Sequence, residues 1–235
     1  MDEEMFCLTP EDKEVAIEIV KKFLKEKQRD QEFPRLSFKK LYSIFNNEKE
    51  KALFEKILKI DPKKYGQLGC YYEVWEAPDD LVPIENQTYE REGVIKKVDL
   101  QYLPKEAYLA FQKMNEAMKK QIGCSLNIVS GYRSPAYQLL LFLYFLEKDK
   151  WDIKKTLRRV ALPGWSEHGC PLKQGMDFAC KDYRKMEDFD KSEEYKWLNE
   201  NASRFGFYLS FPKGNEFGIM YEPWHWHYEP EKNVN

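Results

Sequence analysis

Histidine is scarce in this chain, with three in 235 residues. A basic excess, a long apolar run and an even cysteine count are also missing, and each absence narrows what the polypeptide does. Lys and Arg number 38 against 40 Asp and Glu, a net charge of -2. The chain therefore lacks the positive field with which a generic phosphate-backbone binder holds its ligand, and no nucleic-acid partner is expected. The longest apolar run, Leu139 to Leu146, is far short of the ~20 residues that a membrane-spanning helix needs. The start, MDEEMFCLTPEDKE, is acidic and has neither the basic head nor the apolar stretch of a secretory signal. A cytoplasmic location is expected, or an extracytoplasmic one if a leader has been removed. The five cysteines, Cys7, Cys70, Cys124, Cys170 and Cys180, are odd in number and irregular in spacing, which suits free thiols in a reducing compartment. There is no internal repeat, low-complexity tract or glycine-rich phosphate loop.

What is present suffices for a core without staples. The length fits one large domain, or a domain of about 150 residues with an appendage. Apolar residues make up 43% and aromatics 15%. Thr9, Pro10, Glu11 and Asp12 form a helix start, after which Val15, Ile19, Val20, Phe23 and Leu24 recur at helical spacing, as do Leu53, Phe54, Ile57 and Leu58 further on. Residues 1–62 read as a helical N-terminal extension packed on a main domain of residues 63–235. From Lys63 to Pro104, Pro, Gly, Asp and Asn interrupt short aromatic and β-branched stretches, Cys70 to Trp75 and Val94 to Val98, which predicts loops with one or two strands. Then come a helix with Ala107, Phe111, Met114 and Met118 on one face, a strand over Ser125 to Ser130, and a helix from Ser134 and Pro135 to near Glu147. A strand over Met176 to Cys180, a helix from Ser192 to Gly206 and a closing strand within Gly218 to Glu229 complete the order. This alternation predicts an α+β fold, a small antiparallel sheet flanked by helices.

The three histidines, His168, His225 and His227, fall in two short segments rich in carboxylates, WSEHGCPLKQGMDFA (Trp165 to Ala179) and YEPWHWHYE (Tyr221 to Glu229). Zn²⁺ takes imidazole and carboxylate ligands, and catalytic sites use three of them with one position open to water. His168, Asp177 and a histidine of the last segment would supply that set. Glu222 is placed to take a proton beside such a metal. Trp224, Trp226 and Tyr228 alternate with His225 and His227, so a strand would put both histidines on one face. Arg133, between a predicted strand and a helix cap, can hold a carboxylate or a developing oxyanion.

At Gly131 to Ser134 with Gln138, at Ser166, His168 and Asp177, and at Glu222 to His225, the sequence resembles the VanY-type D-alanyl-D-alanine carboxypeptidases. Their relatives are the D,D-dipeptidases and the wider group of zinc peptidases that share the hedgehog-like fold. The resemblance covers about 100 residues, Ser130 to Tyr228; residues 1–120 have no counterpart in it. It implies a twisted antiparallel sheet with helices around it, with Zn²⁺ on His168, Asp177 and His225. It makes Glu222 the general base and has Arg133 stabilise substrate or transition state. Ser166 and Gln138 would contact the peptide, and His227 would lie next to the ligands or touch substrate. Eight residues, GCPLKQGM, separate His168 from Asp177 where the family usually has six; the ligand geometry survives if the extra residues bulge at the surface.

The resulting expectation is a zinc peptidase acting on a D-alanine-containing peptide of cell-wall origin, foremost a carboxypeptidase. A D,D-dipeptidase, a phage-lysin-like endopeptidase and a non-catalytic zinc-binding protein share the motif. A thiol hydrolase using Cys170 beside His168 lacks an evident orienting partner for the base.

Overall fold

Thr9 and Asp12 cap the first helix reciprocally: Asp12 N donates to Thr9 Oγ1 (3.1 Å) and Thr9 N to Asp12 Oδ2 (2.7 Å). This partners an amide that the first turn leaves without an intrahelical acceptor. The structure, a computed structural model, describes residues 6–45, 47–73, 75–182 and 185–230. The acidic residues 1–5 of the start and Val74 of the Cys70 to Trp75 stretch lie outside these. Helix α1 spans Pro10–Arg29, α2 Phe38–Ile44 and α3 Glu48–Leu58. Ala16, Ile19, Val20 and Phe23 form the buried stripe of α1, the 3.6-residue pattern of an amphipathic helix.

The segment between residues 63 and 104 departs from expectation. It holds four short strands, β1 (Leu81–Ile84), β2 (Thr88–Arg91), β3 (Val94–Lys97) and β4 (Gln101–Pro104), as two antiparallel pairs, β1 with β4 and β2 with β3. The described part of Cys70 to Trp75 is not a strand. Tyr72 N donates to Gly164 O (2.8 Å), and the Tyr71 ring meets Trp165 and Trp75, with centroids 5.4 and 6.4 Å apart. Ring contacts rather than a hydrogen-bonded ladder hold that stretch, and its aromatic content alone is what suggests a strand.

Helix α4 (Lys105–Ile122) buries Ala107, Phe111, Met114 and Met118, as their spacing predicts. Strand β5 is Leu126–Ser130, and α5 (Pro135–Lys148) starts at the Ser134 cap, whose Oγ accepts from Tyr137 N (3.2 Å). A short α6 (Ile153–Leu157), β6 (Gln174–Cys180), α7 (Glu193–Asn201), β7 (Phe207–Leu209) and β8 (His225–Tyr228) complete the chain order. The helix predicted from Ser192 to Gly206 divides into α7 and a 3-10 turn, Ala202–Phe205. Strands β5, β6, β8 and β7 form one antiparallel sheet in that spatial order.

Two cores result. α1, α2 and α3 share theirs with α5 and α6. Because α5 is enclosed by that helical layer, nearly all its faces are apolar. The second lies between the sheet and helices α4 and α7 and includes Met176, Phe178 and Cys180. Side chains alternate along a strand, so Met176, Phe178 and Cys180 fill this core and Gly175 and Asp177 face the other way.

Candidate metal centre and active site

Strand register assembles the cluster. In the β6–β8 pairing Asp177 lies directly opposite His225. Across β5 the register shifts between Ile128 and Ser130, bringing Ser130 opposite Asp177. A bulge of this kind turns the strand and re-aims the residues beyond it, here Gly131, Tyr132 and Arg133. His168 comes from a 3-10 turn, Glu167–Gly169, laid against β6. That approach requires glycine at 175, since a Cβ there would sit 2.8 Å from Glu167 Cβ and 3.0 Å from His168 N. The longer connection between His168 and Asp177 is taken up by a second 3-10 turn, Pro171–Lys173, in which Leu172 is 81% exposed. The extra residues therefore bulge outward.

One ligand-type atom each of His168, Asp177 and His225 lies within 4.8 Å of the others. His225 Nδ1 is 2.9 Å and His168 Nε2 3.5 Å from Asp177 Oδ1. Two ligands held about 2.0–2.1 Å from a tetrahedral zinc stand roughly 3.3 Å apart, so the two separations from Asp177 fall on either side of the spacing such an ion needs. Each imidazole is also oriented from behind. His168 Nδ1 lies 2.7 Å from Gly131 O and donates its proton there, leaving Nε2, which is buried without any hydrogen-bond partner, as a free lone pair. His225 Nε2 lies 2.9 Å from Glu167 Oε2, which directs Nδ1 at the cluster. A carboxylate behind a ligating histidine fixes its tautomer and strengthens it as a donor. Gly131 can offer its carbonyl because it has no side chain: a Cβ would sit 2.2 Å from Tyr102 O.

The electrostatics fit a cation. Burial alone would lower the His225 pKa, but hydrogen bonds to Asp177 and Glu167 outweigh it and raise the group to about 10. Burial and the nearby Arg133 charge lower His168 to about 4, keeping it neutral. Burial would raise the Asp177 carboxyl; His168 and His225 hold it well below the ordinary carboxylate range. Glu167 is likewise held low against its burial by His225 and Lys173. Glu222 behaves oppositely. Its Oε2 is 4.0 Å from His225 Nδ1, and burial, only partly offset by His225, raises it to about 7. A carboxylate titrating there suits proton transfer near neutrality.

These groups open on one cavity whose lining includes Arg133, Gln138, Ser166, His168, Glu222 and His225. Arg133 Nε is buried without a partner, and the Arg133 amide donates to His168 O (2.9 Å). Gln138 Nε2 donates to Ala161 O (2.7 Å), while its Oε1 has no partner. Ser166, with Arg133 and Gln138, also lines a second and smaller recess. His227, opposite Gly175 on β8, stands behind Glu167: its Nδ1 is 2.8 Å from Ser210 Oγ and 4.0 Å from Glu167 Oε2. Since Ser210 Oγ donates to Glu167 (2.5 Å), the proton between Ser210 and His227 belongs to Nδ1. His227 thus supports Glu167 and is not one of the three converging groups.

Sequence reasoning passed over four residues. Glu167 precedes His168, and neighbours in an extended chain point apart; the 3-10 turn brings both inward. Lys173 (Nζ 2.6 Å from Glu167 Oε1) and Ser210 reach Glu167 through tertiary structure alone. Tyr72 lines the cavity, and burial with the Glu167 charge pushes its phenol up; it comes from the segment that matched no motif.

The fold and site define an α+β protein in which two histidines and an aspartate that could hold a metal ion converge beside a buried carboxylate at a cavity. The chain belongs to the VanY D-alanyl-D-alanine carboxypeptidase family, whose family model matches residues 100–231. It is 33% identical over 180 residues to YodJ of Bacillus subtilis (strain 168), covering 76% of this chain and 62% of YodJ. To a D-alanyl-D-alanine carboxypeptidase of Enterococcus faecium it is 34% identical over 131 residues, 54% of this chain and 37% of that protein. The chain thus spans about three fifths and under two fifths of those relatives' lengths. Among solved structures, the LdcB LD-carboxypeptidase superposes with a TM-score of 0.54 at 35% identity, over 66% of this chain and 70% of that one. Among the described residues, no helix is long and apolar enough to cross a membrane.

Proposed function

We propose that the chain is a zinc-dependent carboxypeptidase that releases C-terminal D-alanine from peptidoglycan peptides or their precursors. One observation carries this reading: His168, Asp177 and His225 converge beside a raised Glu222, in a cavity that also presents Arg133. His168, Asp177 and His225 would hold the metal. Bound there, zinc supplies Lewis acidity and a water of lowered pKa.

The protein's own groups do the rest. Glu222 takes the proton from the attacking water and passes it to the leaving amine, which a carboxylate titrating near 7 does in both directions. The Arg133 guanidinium faces the substrate's negative charge, either its terminal carboxylate or the oxygen that gains charge as the amide is attacked. The partnerless Gln138 Oε1 and the Ser166 hydroxyl border the same recess and are placed to receive peptide N–H and C=O groups. Glu167, with Ser210, Lys173 and His227 behind it, keeps His225 in register. The five free thiols support a reducing, cytoplasmic setting for this chemistry.

The likeness to an LD-carboxypeptidase favours a second reading for the bond cut. In it the penultimate residue is L-configured at its α-carbon side, as in a tetrapeptide stem, rather than D-alanine. Zinc analysis coupled to D-alanine release from pentapeptide, tetrapeptide and free D-Ala-D-Ala separates the readings. Release from pentapeptide supports the first, release from tetrapeptide alone the second, and dipeptide cleavage a dipeptidase. No release from any of them at full zinc occupancy would overturn the proposal and leave a non-catalytic binding protein.

A further inference from the structure

The other face of β6 carries a second convergence of ligand-type side chains. Ligand atoms of Cys180, Asp182 and Glu194 all lie within 4.8 Å of one another. Cys180 is 3% and Glu194 6% exposed. Cys124 adds a second thiol: it is half-buried in the connection two residues before Leu126, the residue that pairs with Cys180 across β5 and β6. Burial and, after it, the Glu194 charge raise both thiols. Among the described residues no Lys, Arg or His forms an ion pair with Glu194, although a carboxylate taken out of water without a counter-charge is strongly disfavoured.

We propose that Cys180, Glu194 and Asp182, with Cys124 as fourth donor, form a second and structural site for a thiolate-binding divalent metal such as zinc. Two sulfurs and two carboxylate oxygens form a closed four-ligand set and leave no position for substrate, the mark of a structural rather than a catalytic zinc. The donor softness excludes calcium and magnesium, which take oxygen alone. Three segments remote in sequence meet there: the connection from α4 to β5, the end of β6, and the first turn of α7. An ion between them would clamp the strand that carries Asp177 on its opposite face. Burial raises both thiols, Cys180 to about 12, so the ion must displace thiol protons and binding strengthens as pH rises. This site rests on its own geometry and stands whether or not the chain cleaves D-alanine peptides.

The test is a cobalt(II) titration of the metal-free full-length protein under reductant. Two equivalents are expected, and one gives a sulfur-to-cobalt charge-transfer band in the near ultraviolet, which the sulfur-free histidine site cannot produce. His168→Ala should abolish the other equivalent and keep the band. Cys180→Ser should abolish the band and one equivalent. Cys124→Ser, a change at a less buried position, should weaken the band, and Glu194→Gln should weaken binding of the same equivalent. A single equivalent without the band would overturn the proposal. So would a band that survives in Cys180→Ser and vanishes in Cys170→Ser.

Discussion

In the metal-free protein His225 is an imidazolium with both N–H groups aimed at carboxylates, Nδ1 at Asp177 and Nε2 at Glu167, each 2.9 Å away. The Nδ1 proton occupies the place of the cation. With this group raised to about 10, the proton is present throughout the neutral range and must leave when metal binds. Calorimetry of zinc binding near pH 7.5, in buffers of different ionisation enthalpy, should show at least about one proton released. Affinity should rise about tenfold per pH unit up to that pKa; proton uptake, or pH-independent affinity, would contradict the assignment. Glu222→Gln should retain zinc and lower kcat about 10²- to 10⁴-fold, the usual contribution of a general base, with turnover and metal content measured on one sample. Glu167→Gln should weaken zinc binding about 10- to 100-fold, as loss of a carboxylate behind a ligating histidine does. An unchanged zinc affinity would show that Glu167 plays no part in orienting His225.

At the scale of elements, the site depends on the β6–β8 register and on how closely the Glu167–Gly169 turn approaches β6. A register slip of one residue would turn Asp177 into the core. Gly175→Ala tests the approach. Its methyl would meet Glu167 Cβ and two backbone atoms at 2.8–3.0 Å, so stability should fall by about 1–3 kcal/mol, the cost of overpacking. Zinc affinity should fall with it, as read by denaturant melts and competition with a chelator. Part of this arrangement was legible from sequence. The period-2 alternation of His225, Trp226, His227 and Tyr228 placed both histidines on one face, and the spacing of Ala107, Phe111, Met114 and Met118 gave the buried stripe of α4. Other parts carried no local signal. β2 is largely polar and has no fully buried residue, so hydrophobic alternation is silent there, and Tyr71 and Trp75 were ring anchors rather than strand residues. Glu167, Lys173 and Ser210 meet only because a turn, a loop and a sheet edge come together.

At the scale of the molecule, the cavity is bordered by segments from both cores. Arg133 and Gln138 stand at the start of α5, which belongs to the core of the N-terminal helices, whereas Asp177 and His225 belong to the sheet. On this account the N-terminal helices are a support for one wall of the site. Phe23, fully buried in α1 with its ring centroid 6.0 Å from that of Tyr137 in α5, is the probe. Phe23→Ala should cost about 3–5 kcal/mol, typical of removing a buried ring. Its denaturation midpoint should be the same whether followed by tryptophan fluorescence or by retained activity; activity outlasting the loss of helical structure would show that the two parts fold independently.

The central claim is that one cation is gripped by His168 Nε2, Asp177 and His225 Nδ1. Anomalous difference density at the zinc edge, from crystals of zinc-loaded protein, tests it most directly. The account predicts a peak in contact with all three atoms and beside the Glu222 carboxylate. Zinc-loaded crystals that show peaks only elsewhere, with none among these three residues, would contradict it.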